Sequence, residues 1–382
     1  MSKFYNEKYF DVIILGAGLS GLTLANELSN RKNLKILIIE KKKKFLYDKN
    51  WCFWNIPKNP LTEKFDNCWK KIHIKIDKEE IILNDNYIKY LHIKSSTFYK
   101  EILKKINRNR VKILMNVKVN SISLTDSIHK ISTKGQSFIT KLLFDSRPSN
   151  YKKKPNSTYQ HFCGYEINFK KKILDTNQLT LMDFQSFSNG INFMYVLPFS
   201  KNKGLFESTY FSKKIFNKKK YKNDVIRYLK KSFAGLDYTI KLKEYGVIPM
   251  FYEQNNISIK NYHKIGLSGN WARASTGYAF QNSFEKAKNI VDEVVFNKKA
   301  KNNKKLIIFL DNIFLYFLKN YSDDAKMFFK YFFFKNKPTN IVSFLTGNIK
   351  LNQLIIIILS LPKVKLIKSM LQLIKKKKCQ LN

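Results

Sequence analysis

Two hydrophobic rhythms alternate along the chain. After Asp11 the residues to Leu15 are all apolar, the pattern of a strand buried on both faces. Ser20–Ser29 then carries leucine and alanine at helical spacing, and Leu34–Glu40 reads as a second strand, so a β–α–β unit opens the chain. A lysine-rich loop, Lys41–Asn50, leads to the aromatic cluster Trp51, Phe53 and Trp54. Ser95 or Ser96 caps a helix expected to run to about Asn107, and Val111–Val119 returns as a strand. Further strands are expected around Leu142–Asp145, Gln160–Phe169, Phe193–Leu197 and Leu205–Phe211. Lys264–Ser268 reads as a strand feeding a helix from about Thr276 to Phe296, and the pattern from Ala300 onward is helical. No apolar run reaches the ~18 residues of a spanning helix. Leu306–Leu318 is broken by Asp311 and Asn312, and Leu354–Leu359 is short. Met1–Phe10 is polar and short, so no signal peptide is expected before the first strand. There is no internal repeat.

Composition narrows the class. Of 382 residues, 44% are hydrophobic and 15% aromatic, ample for a buried core and incompatible with a disordered chain. The 71 basic residues against 28 acidic ones give a net charge of +43. Only six are arginine (31, 108, 110, 147, 227 and 273), which weighs against nucleic-acid recognition, where the bidentate fork is favoured. The lysines are spread over the whole chain among many Asn, Ile and Phe, as an A/T-rich genome produces; attraction to anionic lipid, about 1 kcal/mol per lysine near the surface, is the other source. Where lysine has replaced arginine freely, the remaining arginines should mark places that need a planar fork. Cysteines at 52, 68, 163 and 379 form no CxxC pair and no ligand rhythm with the five histidines, so neither a disulfide framework nor a metal site is expected, and a reducing cytoplasm is the default compartment.

The chemistry begins at Gly16-Ala-Gly18-Leu-Ser-Gly21, a GxGxxG run between the first strand and helix. Gly16 allows the tight turn, Gly18 lets backbone approach a pyrophosphate, and Gly21 lets the helix pack on the strands. The helix start then holds the anion with free N–H groups. Glu40 closes the second strand where a ribose-binding carboxylate belongs, and its charge opposes a 2′-phosphate, favouring FAD or NAD over NADP there. A single such fingerprint resembles the single-Rossmann flavoproteins, in which FAD is resident and later segments complete its site. Phe144-Asp145-Ser146-Arg147-Pro148 and Gly266-Leu-Ser-Gly269-Asn270, leading into Ser275-Thr276-Gly277, suit that role.

In order and spacing, the motifs resemble the bacterial lycopene β-cyclases over nearly the whole chain. The likeness runs from Asp11–Gly21 through Asn50–Trp54, Phe144–Pro148, Gln160–Glu166, Leu181–Phe184 and Phe193–Phe199. It continues through Leu205-Phe206-Glu207-Ser208-Thr209, Tyr245–Met250 and Gly266–Phe280 to Asn336–Pro338 and Ser360–Pro362. It implies an α/β fold: a Rossmann-type FAD-binding domain interleaved with a β-sheet substrate domain, plus a helical C-terminal segment. The main part of the first would be residues 1–150, the carotenoid-binding β-rich part 151–255, the segment completing the FAD domain 256–300, and the basic, Phe-rich helical part 301–382. FAD-binding residues would be Gly16, Gly18, Gly21, Glu40, Asp145, Arg147, Gly269, Thr276 and Gly277. Two positions depart from the family: Ser208 stands where the acidic motif has a second acid, and Asn270 where relatives usually have glycine.

The implied reaction closes the linear ψ-ends of lycopene into β-rings, by way of γ-carotene to β-carotene, with no net redox change. It needs an acid, a negative field for a carbocation and dry apolar walls. Glu207, beside Leu205 and Phe206, is the candidate acid, with Glu166 as second carboxylate. The family's flavin acts reduced, with NADH or NADPH as a transient reductant. Trp51, Trp54, Tyr165, Tyr195 and Phe199 are candidates to line a polyene tunnel, and His161 reads as a structural histidine. In Lys363–Lys378, Leu366, Ile367, Met370, Leu371 and Ile374 share a helical face among lysines, which suits either peripheral attachment to the inner face of the cell membrane or packing on the chain's own core. Lycopene and its cyclised products, with no nucleic acid and no metal, are the expected partners. The competing readings are a flavin-dependent monooxygenase or isoprenoid reductase, and a basic membrane- or nucleic-acid-binding protein without catalysis.

Overall fold

The computed structural model describes residues 7–149, 157–253, 259–298 and 305–379, with side chains of the last helix described to 375. The domain boundaries expected at 150, 255 and 300 lie outside the described residues.

The opening unit forms as its pattern requires: β1 (Lys8–Leu15), α1 (Leu19–Arg31) and β2 (Ile36–Ile39). Next come β3 (Asn50–Trp54), β4 (Asn67–Trp69), the hairpin β5 (Lys71–Ile76) and β6 (Glu79–Asn84), β7 (Tyr90–Lys94) and α2 (Ser95–Lys105). Val111–Val119 is not one strand. Asn116 takes a left-handed φ of 60°, so pairing stops at the end of β8 (Val111–Leu114) and resumes in β9 (Val119–Thr125), ahead of β10 (Ile128–Thr133) and β11 (Ser137–Asp145). The first sheet runs β8-β2-β1-β11-β10-β9, with β1 parallel to both β2 and β11.

A second sheet follows: β12 (Tyr159–Phe169), β13 (Gln178–Gln185), β14 (Ile191–Ser200), β15 (Lys203–Ser212), α3 (Lys218–Ser232) and β16 (Tyr238–Pro249). Its order is β16-β12-β15-β14-β13-β5-β6, so the early β5–β6 hairpin extends it. Helix α3 covers one face, packing Tyr221, Val225 and Leu229 on Cys163, Phe206 and Tyr210.

The chain then returns to the first sheet through β17 (Tyr262–Lys264), parallel to β11. The strand expected to Ser268 ends at Lys264 because Gly266, at φ +67°, starts a 3-10 turn over Gly266–Gly269. The following helix likewise starts late, at α4 (Phe280–Val294), since Gly277 sits at φ +70°. Helix α4 packs Ala287 and Val291 with Ala25 and Leu28 of α1. The tail is helical as expected: α5 (Lys305–Asn320), α6 (Ala325–Phe334), α7 (Pro338–Leu345), α8 (Leu351–Ser360) and α9 (Lys363–Cys379). Its phenylalanines, including Phe317, Phe328, Phe332 and Phe333, share a core with Leu181, Phe184, Phe193 and Leu205 of the second sheet. No helix among the described residues is long and apolar enough to cross a membrane.

Candidate active site

The three fingerprint glycines do different work. A Cβ on Gly16 (φ +97°) would fall 2.3 Å from Ser146 Oγ, and one on Gly21 would fall 2.0 Å from the Gly16 carbonyl oxygen. A Cβ on Gly18 would meet nothing within 4 Å, and no side chain caps the α1 start there. That is an open cradle with unpaired N–H groups, which fits a pyrophosphate. Glu40, buried just beyond β2, accepts hydrogen bonds from the backbone N–H of Ala17 (2.7 Å) and Lys42 (2.9 Å), fixing its carboxylate at the cradle's edge.

The returning segments contribute unevenly. Burial alone would raise the Asp145 carboxyl, but hydrogen bonds from Arg147 and Tyr262 outweigh it and hold the group below its ordinary value. Arg147 forks onto it through Nε (2.9 Å) and Nη2 (2.8 Å), with Tyr262 OH at 2.7 Å. Asp145 and Arg147 thus satisfy each other, while their neighbours Ser146 and Pro148 line the cavity. Gly269 keeps the 3-10 turn tight: a Cβ there would meet the Lys264 carbonyl oxygen at 2.3 Å. Thr276 and Gly277 do line the cavity, and a Cβ on Gly277 would fall 2.5 Å from Gln160 Oε1. That oxygen is buried with no hydrogen-bond partner among the described residues, an acceptor that a ligand's N–H would satisfy. Asn270 tolerates φ 58° as asparagine does, and its amide exchanges hydrogen bonds with the Glu253 backbone at 2.7 and 2.9 Å.

One cavity of about 720 Å³ joins the cradle (Gly18, Leu19, Ser20) to a far end walled by Phe314, Phe328, Phe329, Phe332, Phe333 and Phe344. Glu207 of β15 and Glu244 of β16 also line it. Strand β12 separates those strands, and Gly164 on it pairs with Glu207 on one side and Glu244 on the other. Both carboxylates lean over that glycine: a Cβ would lie 3.1 Å from Glu244 Cγ and 3.4 Å from Glu207 Oε2. Burial, then the charge of Glu244, pushes the Glu207 carboxyl well above its ordinary value, against the hydrogen bond it accepts from Thr209 Oγ1 at 2.8 Å. Burial also holds the Glu244 carboxyl above its ordinary value, only partly offset by the hydrogen bonds it accepts from the Asn50 side-chain amide (2.6 Å) and backbone N–H (3.1 Å).

Because side chains alternate along a strand, Ser208 faces away from the cavity, its hydroxyl 3.4 Å from Asp224 of α3. Glu166 is ion-paired with Lys203 at 3.2 Å and does not line the cavity, so the second carboxylate beside Glu207 is Glu244. Of the expected tunnel aromatics, Trp51 and Tyr195 line the cavity. Trp54 is buried against Tyr90 (4.7 Å between rings), Tyr165 turns to the α3 side and donates to the Lys218 carbonyl (3.1 Å), and Phe199 stacks on His92 (4.9 Å). His161 is buried, with Tyr221 OH and Ser212 Oγ at its two ring nitrogens. Among the described residues no group of three or more His, Cys, Asp or Glu is arranged to hold a metal ion. Sequence reading missed Glu244, Asn50 and the phenylalanine end. Glu244 adjoins the Tyr245–Met250 motif, but its meeting with Glu207 depends on register across two strand pairs.

Fold and site together define a Rossmann-type α/β protein whose dinucleotide cradle opens into an apolar chamber holding buried carboxyls. The chain belongs to the lycopene cyclase protein family, which it matches over residues 11–371. Among curated proteins it is 24% identical over 317 residues to the chloroplastic neoxanthin synthase of Solanum lycopersicum, covering 76% of this chain and 61% of that protein. It is 23% identical over 226 residues to the chromoplastic capsanthin/capsorubin synthase of Citrus sinensis, covering 52% and 43%. The chain thus spans about three fifths or less of these relatives' length. Among solved structures, the fold is shared with a geranylgeranyl bacteriochlorophyll reductase-like protein of Thermoplasma acidophilum, at TM-score 0.67 and 15% identity over 95% of this chain and 99% of that one. It is also shared with the flavin-dependent brominase Bmp2, at TM-score 0.58 and 14% identity over 89% and 94%.

Proposed function

We propose that this protein is a lycopene β-cyclase that closes the ψ-ends of lycopene without net redox change. The observation that carries the reading is Glu207, a buried carboxyl lining an apolar cavity, where burial and the charge of Glu244 push it well above its ordinary value and so favour its protonated form. Its proton goes to C2 of the terminal double bond, and the aromatic rings of Trp51, Tyr90 and Tyr195 flank the position of the resulting cation while excluding water. FAD would be held by the Gly16–Gly21 cradle and Glu40, with Thr276, Gly277 and the Gln160 side-chain oxygen available to its other polar groups. Bound there and reduced by NADH or NADPH, the flavin would supply negative charge to the site. The long Phe-lined end suits the rest of a polyene chain.

Peripheral attachment to the inner face of the cell membrane from a cytoplasmic location belongs to the same reading, since the substrate resides in lipid. Its support is the surface of α8 and α9. Leu351, Ile355, Ile356, Leu359, Val364, Ile367, Leu371 and Ile374 are all exposed there.

The test is expression in a bacterium that accumulates lycopene, with the pigments resolved chromatographically beside a Glu207→Gln variant. Wild type is expected to yield cyclic carotenes, with loss of about a hundredfold or more in the variant. Unchanged lycopene together with steady, substrate-dependent NAD(P)H consumption would favour a flavin-dependent monooxygenase or isoprenoid reductase.

A further inference from the structure

Ring closure releases a proton, so beside the acid that starts it the cavity needs a group that receives the departing one. Successive strand residues face opposite sides of a sheet, so an acid at 208 would point at α3 in any case. Position 208 meets Asp224 there, 3.4 Å from its hydroxyl. The cavity side is served by Glu244, brought over Gly164 from the far neighbour of β12.

The two carboxyls have different partners. Glu207 has a hydroxyl, Thr209 Oγ1, which can serve a protonated carboxyl or an anion. Glu244 has two N–H donors from Asn50, which can only meet an acceptor. Asn50 is fixed in that orientation, because its Oδ1 accepts from Tyr47 OH at 2.6 Å and faces His92 Nε2 at 2.8 Å. His92 is fully buried, and burial lowers its pKa to about 3, so it stays neutral. Lys49, the nearby cation, donates to the Tyr245 carbonyl oxygen at 3.0 Å. The remaining titratable groups facing the pair are Asp48, Tyr47, Cys52, Cys163 and Tyr195. Burial raises the thiols and phenols among them, so they are neutral near pH 7.

We propose that Glu207 and Glu244 form a split acid–base pair across Gly164, in which Glu207 delivers the proton to C2 and ionised Glu244 takes the proton from C6. This rests on the cyclase reading above. The Glu207 O–H bond breaks as C2–H forms, leaving positive charge on C1. The C5=C6 electron pair forms the C1–C6 bond, and the charge moves to C5. The C6–H bond then breaks, its electrons make the ring double bond C5=C6, and the proton goes to a Glu244 oxygen. Moving that proton back to Glu207 resets the site, and no oxidant or reductant is consumed. Glu244 therefore decides which ring forms, since loss of a proton from C4 or from the C5 methyl would give an isomeric ring instead.

Two measurements test the pair. The first needs no substrate: infrared difference spectra of wild type against each variant at neutral pH. The carbonyl stretch of a buried protonated carboxyl should vanish in Glu207→Gln and persist in Glu244→Gln; the reverse assignment would overturn the proposal. The second is turnover with lycopene. Glu244→Gln should lower kcat by about a hundredfold or more with KM little changed, and shift the residual product toward isomeric rings. Asn50→Leu keeps both carboxyls but removes one donor from Glu244. Since Glu244 must be ionised, activity is lost as pH falls through its pKa, and that limb should move to higher pH in this variant. A wild-type β-ring fraction in Glu244→Gln sinks the proposal and leaves the cyclase reading intact. If wild type does not cyclise lycopene, the cyclase reading fails, while the infrared result still decides which carboxyl holds the proton.

Discussion

Glu207 was readable because it stands at the acidic motif of the family the sequence resembles, and Leu205 and Phe206 before it announce a buried strand. Its partner was not, because Glu244 lies 37 positions later in sequence and adjoins it only through the pairing of both strands with Gly164. Strand alternation also settles what the serine at 208 means. A carboxylate there would be buried beside Asp224, which already accepts from Tyr210 OH at 2.6 Å and Lys220 Nζ at 2.6 Å. Ser208→Glu is therefore expected to cost about 3 kcal/mol of stability without raising turnover, as read by chemical denaturation and a cyclisation assay. Restored stability or higher turnover would mean that the side chain can reach the cavity. Two of the six arginines show the fork expected of them, Arg147 onto Asp145 and Arg273 onto Asp311, whereas exposed Arg227 only approaches Asp224 at 3.9 Å.

The second pair joins elements. Asp311 reads in the sequence merely as an interruption of the apolar run Leu306–Leu318. In the fold it is the buried anchor of α5, accepting from Arg273 Nε (3.0 Å) and Nη2 (2.7 Å), Ser275 Oγ (2.8 Å) and Tyr252 OH (2.7 Å). Arg273 also donates to the Phe344 carbonyl of α7. The phenylalanine end of the cavity is thus tied to the segment that carries Thr276 and Gly277. Replacing Asp311 with alanine leaves a buried guanidinium without its carboxylate, an expected loss of about 3–5 kcal/mol visible as a large drop in Tm. A near-neutral change would show that water takes the carboxylate's place. Strands β12 and β15 were legible because aromatic and other strand-favouring residues recur along them. Helix α3 was not. Only Tyr221, Asp224, Val225 and Leu229 are buried on it, and surrounding lysines hide their spacing. Turn positions shifted other boundaries, since left-handed Gly266, Gly277 and Asn116 end elements that apolar content alone would extend.

At the scale of the molecule, charge and apolar surface meet on α8 and α9. Of the face expected on α9, Leu366 and Met370 turn inward while Ile367, Leu371 and Ile374 stay exposed with Val364, and Lys363, Lys368 and Lys375 flank that stripe. Sedimentation with anionic vesicles is expected, weakened by high salt and by Ile367→Ser with Leu371→Ser. Equal sedimentation with neutral vesicles would remove the electrostatic part. The sheet connectivity has a different kind of consequence. The chain visits the first sheet in β1–β2, leaves for the second in β5–β6, returns for β8–β11, leaves again for β12–β16 and comes back in β17. A single crossover between two related genes ahead of α5 could exchange the phenylalanine end of the chamber, but Glu207 and Glu244 lie between β11 and β17, so one that replaces them carries a strand of the first sheet with it. In such a lineage the two ends of the chamber can therefore have separate histories, while the carboxyl pair is inherited with part of the cradle's own sheet.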